Sequence, residues 1–531
     1  MVETSRVARR SVVHEPEKNV MTDPGSVVFR FDAGLALGGG HAMRCLGLAN
    51  ALGERGATRA YAVRQSTLDT LPSLADGKVE ILALDKDQDV DAMFVDGKAK
   101  AGWLVVDLPG WDLGNAIAAR RVSSSVAVIS DAPDRPLDCD VVLDTTAGRN
   151  AREYDGLVPE KCRIFTGPAY ALLRPSFAAL RRRSISAKKE RRESARILIS
   201  FGATDPHGAT VTALDAVEQA APDAQVDIIL GSSAPCFNEV RTRMAASHID
   251  VSLHSDTSEV ASLMAAADFA IGAAGITSWE RCSLGLPTIV ITQADNQLPN
   301  AASLVRGGAA EVLGASDAVS VTDIVAAIGR MLAEPDYRHR MVDSAAVMCD
   351  GLGARRFAQV IFPECARDGA PVTLRPATLA DMDILFDWQT HPDTRRYFRT
   401  LQAPSRYTHE NWLGAKLADP DCVLGILEHN GTPAGVLRFD IVAENEPPNQ
   451  PNSDTESECD SYEVSILIAP DRWRLGIGAA ALRLGRQLLP FSKIRAAVDA
   501  ENVASHRLFA AAGYRRDGKE YVLGADNGAV A

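Results

Sequence analysis

The strongest constraint on the fold is a repeated alternation of short β-branched runs with longer stretches rich in alanine and leucine. Runs such as VVFRF (27–31) and WLVVDLP (103–109) have the composition of buried strands, and amphipathic helical windows separate several of them. A second series follows the charged stretch 180–195 and includes ARILISFGA (195–203) and PTIVITQ (287–293). Because strands that alternate with helices form parallel sheets, we predict two α/β halves with a ligand cleft at the carboxyl ends of their strands.

A third pattern begins near residue 371, where a strand, an acidic helix and a hairpin with an HNG centre follow one another. The 531 residues are enough for about three domains of ~150 residues each. The predicted division is a disordered extension at 1–26, one Rossmann-like half at 27–180, a second at 181–365, and a smaller α/β domain at 371–525 with a mobile acidic loop at 443–461.

Composition excludes several classes of partner. The net charge of −13 argues against nucleic acid or an anionic membrane as the main partner, although a local basic pocket for a phosphorylated small molecule remains allowed. The nine cysteines form no C-x-x-C pair and indicate reduced thiols in a cytoplasmic protein. No run approaches ~18 apolar residues, and we find no metal-ligand spacing of His, Asp or Glu. We predict no metal, and the oligomeric state stays open.

Three glycine loops follow predicted strands and open helices: GGGHAMR (38–44), SFGATDPHG (200–208) and GAAGITSWERCSLGLP (272–287). Glycines allow backbone amides to approach a phosphate or a sugar, and a helix N-terminus adds partial positive charge. Taken alone, the first loop could be a tight turn with a surface histidine. Three such loops, all at strand ends and divided between two halves, are hard to explain as turns alone.

Over about residues 27–360 the chain resembles the GT-B glycosyltransferase fold and, in detail, a hydrolytic family of pseudaminic acid synthesis. That family splits UDP-2,4-diacetamido-2,4,6-trideoxy-β-L-altropyranose into free sugar and UDP. The most specific matching stretches are GHAMR (40–44) and GPAYALLRPSF (167–177), because the general fold requires neither. The ADNQ stretch (294–297) also matches.

The resemblance implies that His41 activates the attacking water, a task that suits histidine because its pKa lies near neutrality. The alternative is a histidine that only hydrogen-bonds substrate. Asn296 is the implied partner of the sugar or the water. Arg44 could face the substrate or form a salt bridge within the helix, Glu280 could accept a ribose hydroxyl or be an ordinary helix N-terminal acid, and Asp205 could be a helix cap. The predicted substrate contacts are Gly39, Gly40, Arg44, Asp107, Gly202, Asp205, Gly275, Thr277, Ser278, Glu280 and Gln297.

Over about residues 371–525 the chain resembles the GNAT acyltransferases, through RWRLGIGAAAL (472–482) and the pattern EN-x-x-S-x-x-L-F-x-x-x-G-Y (501–514). The resemblance implies acetyl-CoA as cosubstrate. Asn502 and Ser505 could instead cap a helix. The predicted coenzyme contacts are Arg472, Arg474, Leu475, Gly476, Ile477, Gly478, Ala479, Asn502 and Ser505.

The GNAT-like region also departs from its family. Trp473 stands where the family has glutamine or arginine, so a neighbouring arginine takes over or the coenzyme binds less tightly. Glu463, on the preceding strand, is the predicted base, with an exposed strand residue as the alternative. The acid stays unassigned, because Phe509 occupies the position where a tyrosine is expected and Tyr514 is predicted to pack.

The two resemblances imply consecutive reactions, N-acetylation of a 4-amino UDP-sugar and then hydrolysis to free sugar and UDP. Three alternatives stay open. The first half could serve a true glycosyltransferase, the hydrolase could act on an isomeric, legionaminic-type UDP-sugar, or the GNAT-like part could be a silent binding module.

Overall fold

The computed structural model describes residues 25–34, 37–76, 79–84, 100–190, 194–398, 400–442 and 459–525. The predicted extension at 1–26 and acidic loop at 443–461 lie outside the described residues, apart from 25–26 and 459–461. Among the described residues, no helix combines the length and the apolarity needed to cross a bilayer. In the same part of the chain, no group of three or more His, Cys, Asp or Glu side chains gathers where it could hold a metal ion.

The first sheet is parallel and has the strand order β3-β2-β1-β4-β5-β6-β7. Alternate residues of its first strand face two apolar clusters, Phe29 on one side and Val28 on the other, as expected for a sheet covered on both faces. Its elements are β1 (Ser26–Phe31), α1 (Gly40–Glu54), β2 (Thr58–Arg64), α2 (Gln65–Thr70), β3 (Glu80–Leu84), β4 (Ala101–Asp107), α3 (Leu113–Val122), β5 (Ser123–Ile129), β6 (Val141–Asp144) and β7 (Arg163–Thr166).

The second sheet is also parallel, with the order β10-β9-β8-β11-β12-β13. Both sheets confirm the predicted pair of α/β halves. The elements are α4 (Pro175–Ala187), β8 (Arg196–Ser200), α5 (Ala209–Ala220), β9 (Gln225–Ile229), α6 (Phe237–Ala245), β10 (Asp250–His254), α7 (Val260–Ala266), β11 (Phe269–Gly272), α8 (Thr277–Ser283), β12 (Thr288–Thr292), α9 (Leu298–Arg306), β13 (Ala310–Ala315), α10 (Val321–Ala333), α11 (Pro335–Met348) and α12 (Gly353–Ile361).

The third sheet is mixed, with the order β14-β15-β16-β17-β18-β19-β21-β20, and its single parallel pair among the described residues is β18 with β19. Its elements are β14 (Glu364–Cys365), β15 (Pro371–Pro376), α13 (Met382–Thr390), α14 (Pro392–Arg395), α15 (Arg406–Leu417), β16 (Cys422–His429), β17 (Thr432–Ile441), β18 (Ser461–Ile468), α16 (Ile477–Leu488), β19 (Lys493–Ala497), α17 (Val503–Ala511), β20 (Arg515–Asp517) and β21 (Glu520–Leu523).

Helix α12 joins the three parts of the molecule. All nine of its residues are buried, because it packs against α1 on one side and against α16 and β15 on the other. The Gln359 amide donates to the Leu484 carbonyl of α16 at 2.9 Å, and Arg355 pairs with Glu54 of α1 at 3.1 Å. The mixed-sheet domain also contacts α4, where an Arg181 guanidinium nitrogen donates to the Pro420 carbonyl at 3.1 Å. This domain therefore rests on both α/β halves.

Candidate active sites

His41 stands at the start of α1, beside the carboxyl end of β4. Because β1 and β4 are neighbours in the sheet, the loop that leaves β1 and the last residue of β4 meet at the same edge. His41 Nδ1 lies 2.6 Å from Asp107 Oδ1, a distance that requires a proton between the two atoms. Asp107 also accepts two hydrogen bonds from Arg44, so we assign the proton to His41 Nδ1. In the neutral imidazole, the other ring nitrogen, Nε2, is then the acceptor.

The structure brings Arg44 and Asp107, both predicted substrate contacts, into contact with each other. Both side chains are buried and face each other: Arg44 Nε donates to Asp107 Oδ2 at 2.8 Å, and Arg44 Nη2 donates to Asp107 Oδ1 at 2.8 Å. The salt bridge thus joins the helix to β4 rather than lying within the helix. Arg44 also pairs with Asp131, which follows β5 and was missed in the sequence analysis. The sequence did contain a signal for this contact, because Asp131 is a carboxylate just beyond β5, the strand that pairs with β4.

Removing the Arg44 guanidinium leaves a buried carboxylate without its main partner. For Arg44→Leu we expect a loss of about 3–5 kcal/mol in the free energy of unfolding, measured in urea. The matched control is Asp131→Asn, whose side chain is 48% exposed and which we expect to cost about 1 kcal/mol or less. Equal, small losses of unfolding free energy in both variants would contradict the stabilising role of the buried Arg44–Asp107 ion pair.

The first and third glycine loops meet across the cleft between the halves. A Cβ atom added to Gly40 would lie 2.8 Å from Ile276 Cδ1 of the third loop, so glycine permits this approach. Gly38 has a φ of +71° and Gly202, in the second loop, a φ of +94°, a region that favours glycine. Gly39 precedes α1 and Gly275 precedes α8, and both are partly exposed. The loops that the sequence singled out in separate halves therefore lie side by side.

Polar side chains in and beside the third loop fall into two groups: some form hydrogen bonds that hold the loop backbone, and others remain exposed at its surface. The Ser278 hydroxyl, a predicted substrate contact, is buried, donates to the Ala273 carbonyl at 3.5 Å and accepts from Arg281 at 3.2 Å. Gln297 Oε1 accepts the amide protons of Ala274 (3.2 Å) and Gln293 (3.0 Å), so its oxygen fixes the loop. Asn296 is exposed and Thr277 is partly exposed.

Two acidic residues of the second half have different surroundings. Asp205 is fully buried, and its two oxygens accept the amide protons of Ala209 (3.1 Å) and Thr210 (2.8 Å) at the start of α5, so it caps this helix, one of the roles considered for it in the sequence analysis. Glu280 is buried near Arg174, with 4.0 Å between Oε1 and Nη2. Burial raises the pKa of Glu280, and the nearby Arg174 opposes that rise.

The third domain has a gap between two parallel strands. β18 pairs with β19 only over Ser461–Glu463, and the rest of β18 continues without β19. Beyond β18 the chain turns through Arg474 (φ +67°) and Gly476 (φ +84°) into α16, whose first amides have no partner within the helix. A Cβ on Gly476 would lie 2.8 Å from Arg367 Cγ, so glycine is required for space as well as for conformation. Leu475, Ile477, Gly478 and Ala479 lie in this turn and the first turn of α16.

The arginines beside Trp473 have protein partners. The Trp473 indole N–H donates to the Ile468 carbonyl at 2.9 Å and covers the end of β18 while the ring stays 44% exposed. Arg472 pairs with its neighbour Asp471 at 3.2 Å, and the Arg474 carbonyl accepts from Arg367 at 3.5 Å. The Trp473 side chain thus has a hydrogen bond of its own to the end of β18.

Around the gap, Glu463 is partly exposed and lies opposite Asp440 of β17 and Arg495 of β19 in the strand register. Asn502 Oδ1 accepts the Ser505 amide proton at 3.1 Å, so of the two alternatives for these residues the structure has the helix cap. Tyr514 is buried against Phe509, which confirms that it packs, and burial raises its pKa to about 12.

A contact between α17 and the last hairpin was missed in the sequence analysis. His506 Nδ1 lies 3.1 Å from the Tyr521 hydroxyl, and this contact joins α17 to β21. The sequence offered no signal for it, because the contact depends on how the last hairpin packs on α17.

Two family models match this chain. The glycosyltransferase family 28 C-terminal domain matches residues 202–357, and the acetyltransferase (GNAT) domain matches residues 372–515. An uncharacterized protein of Methanocaldococcus jannaschii is 21% identical over 504 residues, which are 92% of this chain and 96% of that protein. The similarity to that protein therefore spans all three sheets.

Two further relatives match the α/β halves. The UDP-2,4-diacetamido-2,4,6-trideoxy-β-L-altropyranose hydrolase of Campylobacter jejuni is 25% identical over 239 residues, 45% of this chain and 81% of that protein. The spore coat polysaccharide biosynthesis protein SpsG of Bacillus subtilis is 29% identical over 201 residues, 38% of this chain and 58% of that protein.

Among solved structures, MurG of Acinetobacter baumannii aligns with a TM-score of 0.43 at 15% identity, covering 63% of this chain and 99% of that chain. AAC(6')-Ib in complex with ribostamycin and coenzyme A aligns with a TM-score of 0.25 at 22% identity, covering 29% and 93%. Residues 202–357, most of the second parallel α/β half, are thus similar to the glycosyltransferase family 28 C-terminal domain, and residues 372–515, in the mixed-sheet domain, are similar to the acetyltransferase (GNAT) domain.

Proposed function

We propose that this chain catalyses two consecutive steps on one UDP-sugar. The GNAT domain transfers an acetyl group from acetyl-CoA to the 4-amino group of a UDP-2-acetamido-4-amino-2,4,6-trideoxy sugar. The cleft between the α/β halves then hydrolyses the UDP-2,4-diacetamido-2,4,6-trideoxy sugar to free sugar and UDP, as in pseudaminic acid synthesis. The observation that carries the proposal is His41, held through Nδ1 by buried Asp107 beside the contact of the first and third glycine loops.

In the hydrolytic step, His41 Nε2 accepts a proton from water, and the water oxygen attacks C1 of the sugar. The bond from C1 to the phosphate oxygen breaks and UDP leaves. Asp107 keeps the imidazole in the required tautomer and stabilises the imidazolium that forms. In this proposal, backbone amides near Gly275 and Thr277 receive the diphosphate, and Gly39 and Gly40 allow the sugar to approach the first loop.

The uridine and the sugar have separate contacts in this proposal. Glu280, slightly accessible beside Arg174, accepts a ribose hydroxyl, and the loop at Gly202 receives the base. Exposed Asn296 binds the sugar or the attacking water. The name of the Campylobacter jejuni relative supports this assignment of substrate class.

In the acetyl-transfer step, Glu463 accepts a proton from the 4-amino group as the nitrogen attacks the thioester carbonyl, and the coenzyme leaves as a thiolate. The coenzyme's diphosphate lies against the turn from Arg474 to Ala479, and its pantetheine arm enters the gap between β18 and β19. The partial pairing of these strands and the left-handed turn at Gly476 support this placement.

The test is mass spectrometry of the products formed from the 4-amino UDP-sugar, with and without acetyl-CoA, in ¹⁸O-labelled water. We expect acetylated free sugar and UDP only when acetyl-CoA is present, and we expect UDP without label, because water attacks C1 and not phosphorus. The diacetamido UDP-sugar should release UDP without acetyl-CoA.

Other outcomes have distinct meanings. Release of UDP from the diacetamido substrate only after a sugar acceptor is added would indicate a glycosyltransferase. Faster release of UDP from the legionaminic-type isomer would indicate that this isomer is the substrate. UDP release without any acetyl transfer or acetyl-CoA binding would make the GNAT domain a silent module.

A further inference from the structure

Two free cysteines lie side by side at the edge of the first sheet, away from the residues assigned above. One residue separates Cys139 from the start of β6, and Cys162 directly precedes β7. The two strands are parallel neighbours, with Val141 opposite Arg163, so the starts of both strands lie together. The two Sγ atoms are 3.7 Å apart.

The two thiols have unequal surroundings. Cys139 is buried in the apolar cluster beneath β6, whereas Cys162 is partly exposed and lies between Lys161 and Arg163 in the sequence. A hydrogen bond from the Cys139 thiol lowers the pKa of Cys162, and the same contact together with burial raises the pKa of Cys139. Cys162 is therefore the thiol that solvent can reach.

The charged groups around the pair partly cancel. Asp140 faces both sulfur atoms and opposes ionisation, while Arg120, which pairs with Asp138 at 2.9 Å and with Asp140 at 2.5 Å, favours it. The pair lies just before two neighbouring strands of one sheet, and an S–S bond of about 2.05 Å requires the two Sγ atoms, 3.7 Å apart, to approach each other by about 1.7 Å.

We propose that Cys162 and Cys139 form a reversible intramolecular disulfide by exchange with a low-molecular-weight disulfide such as oxidised glutathione. The Cys162 thiolate attacks one glutathione sulfur, and one molecule of reduced glutathione leaves. Cys139 then loses its proton to solvent and attacks the Cys162 sulfur of the mixed disulfide, which releases the second glutathione. Two protein thiols are oxidised to one disulfide, and one small disulfide is reduced to two thiols.

The bond would close a loop that reaches the cleft. The segment between the two cysteines contains Ala147, whose amide proton is accepted by Asn300 Oδ1 at 3.3 Å and whose carbonyl accepts from the Ser303 hydroxyl at 3.2 Å. Both partners belong to α9 of the second half. The disulfide would thus restrain the edge strand β7 and a connection between the two halves.

The test incubates the full chain with oxidised glutathione, blocks the remaining thiols with N-ethylmaleimide and maps the peptides by mass spectrometry. We expect a peptide linked through Cys139 and Cys162 that dithiothreitol separates, and a rise of several degrees in the melting temperature of the oxidised protein. The exposed Cys365 and Cys459 serve as internal controls and should carry only glutathione.

Two variants separate the roles of the thiols. Cys139→Ser should trap glutathione on Cys162, and Cys162→Ser should leave Cys139 unmodified because it is buried. Recovery of both thiols fully alkylated, while Cys365 and Cys459 carry glutathione, would overturn the proposal. A Cys139→Ser protein with no glutathione on Cys162 would also overturn it.

Discussion

We expect His41→Ala to lower the rate of UDP release from the diacetamido UDP-sugar by about 10²–10⁴-fold, because in the proposed mechanism His41 is the general base for the attacking water. The measurement is single-turnover UDP release at saturating substrate, followed by chromatography. Acetyl transfer by the same variant should proceed at the wild-type rate, because Glu463 and the coenzyme turn belong to the other sheet.

His41→Gln tests the alternative in which the histidine only hydrogen-bonds substrate. The glutamine amide can still donate to Asp107 and to a ligand, but it cannot accept a proton at neutral pH. We expect both variants to be equally slow while binding UDP as tightly as the wild type. Activity restored by glutamine would contradict the role of His41 as a base.

Glu463→Gln has the second large effect, a loss of about 10²–10⁴-fold in acetyl transfer, measured as release of the free coenzyme thiol. UDP release from the diacetamido substrate should be unchanged. Because the base removes a proton from the amine, raising the pH should restore part of the rate as more of the amine becomes unprotonated in solution.

Glu410→Gln is the matched control, because Glu410 is an exposed glutamate on α15 of the same domain. It should transfer acetyl groups at the wild-type rate. A loss in Glu463→Gln that is equal at every pH and is accompanied by lost coenzyme binding would assign Glu463 a structural role instead.

The sequence predicted the parallel halves and the glycine loops because their signals are local. Strand periodicity is contained in a few neighbouring residues, and a strand–glycine–helix order such as GGGHAMR marks its own place in an α/β unit. Helix caps are local as well, and Asp205 and Asn502 were both recognised as possible caps. Only the fold could decide between the cap and the ligand.

The side-chain contacts that the sequence analysis missed join distant parts of the chain. Arg44 is 63 residues from Asp107 and 87 from Asp131, and the three meet because β4 lies between β1 and β5. The sequence spacing placed Arg44 near His41, but it could not show that the Arg44 guanidinium pairs with two carboxylates. The cysteine pair was missed for the same reason, since it depends on β6 and β7 being neighbours.

The position of α12 has a mechanical consequence. A cleft between two halves closes by rotation about the segments that connect them. Here the mixed-sheet domain contacts both halves, because α12 packs on α1 of the first half and Arg181 of α4 donates to the Pro420 carbonyl. Any rotation must carry this domain with one half and slide it past the other. Rotation that closes the cleft and movement of α16, which packs on α12, are therefore mechanically linked.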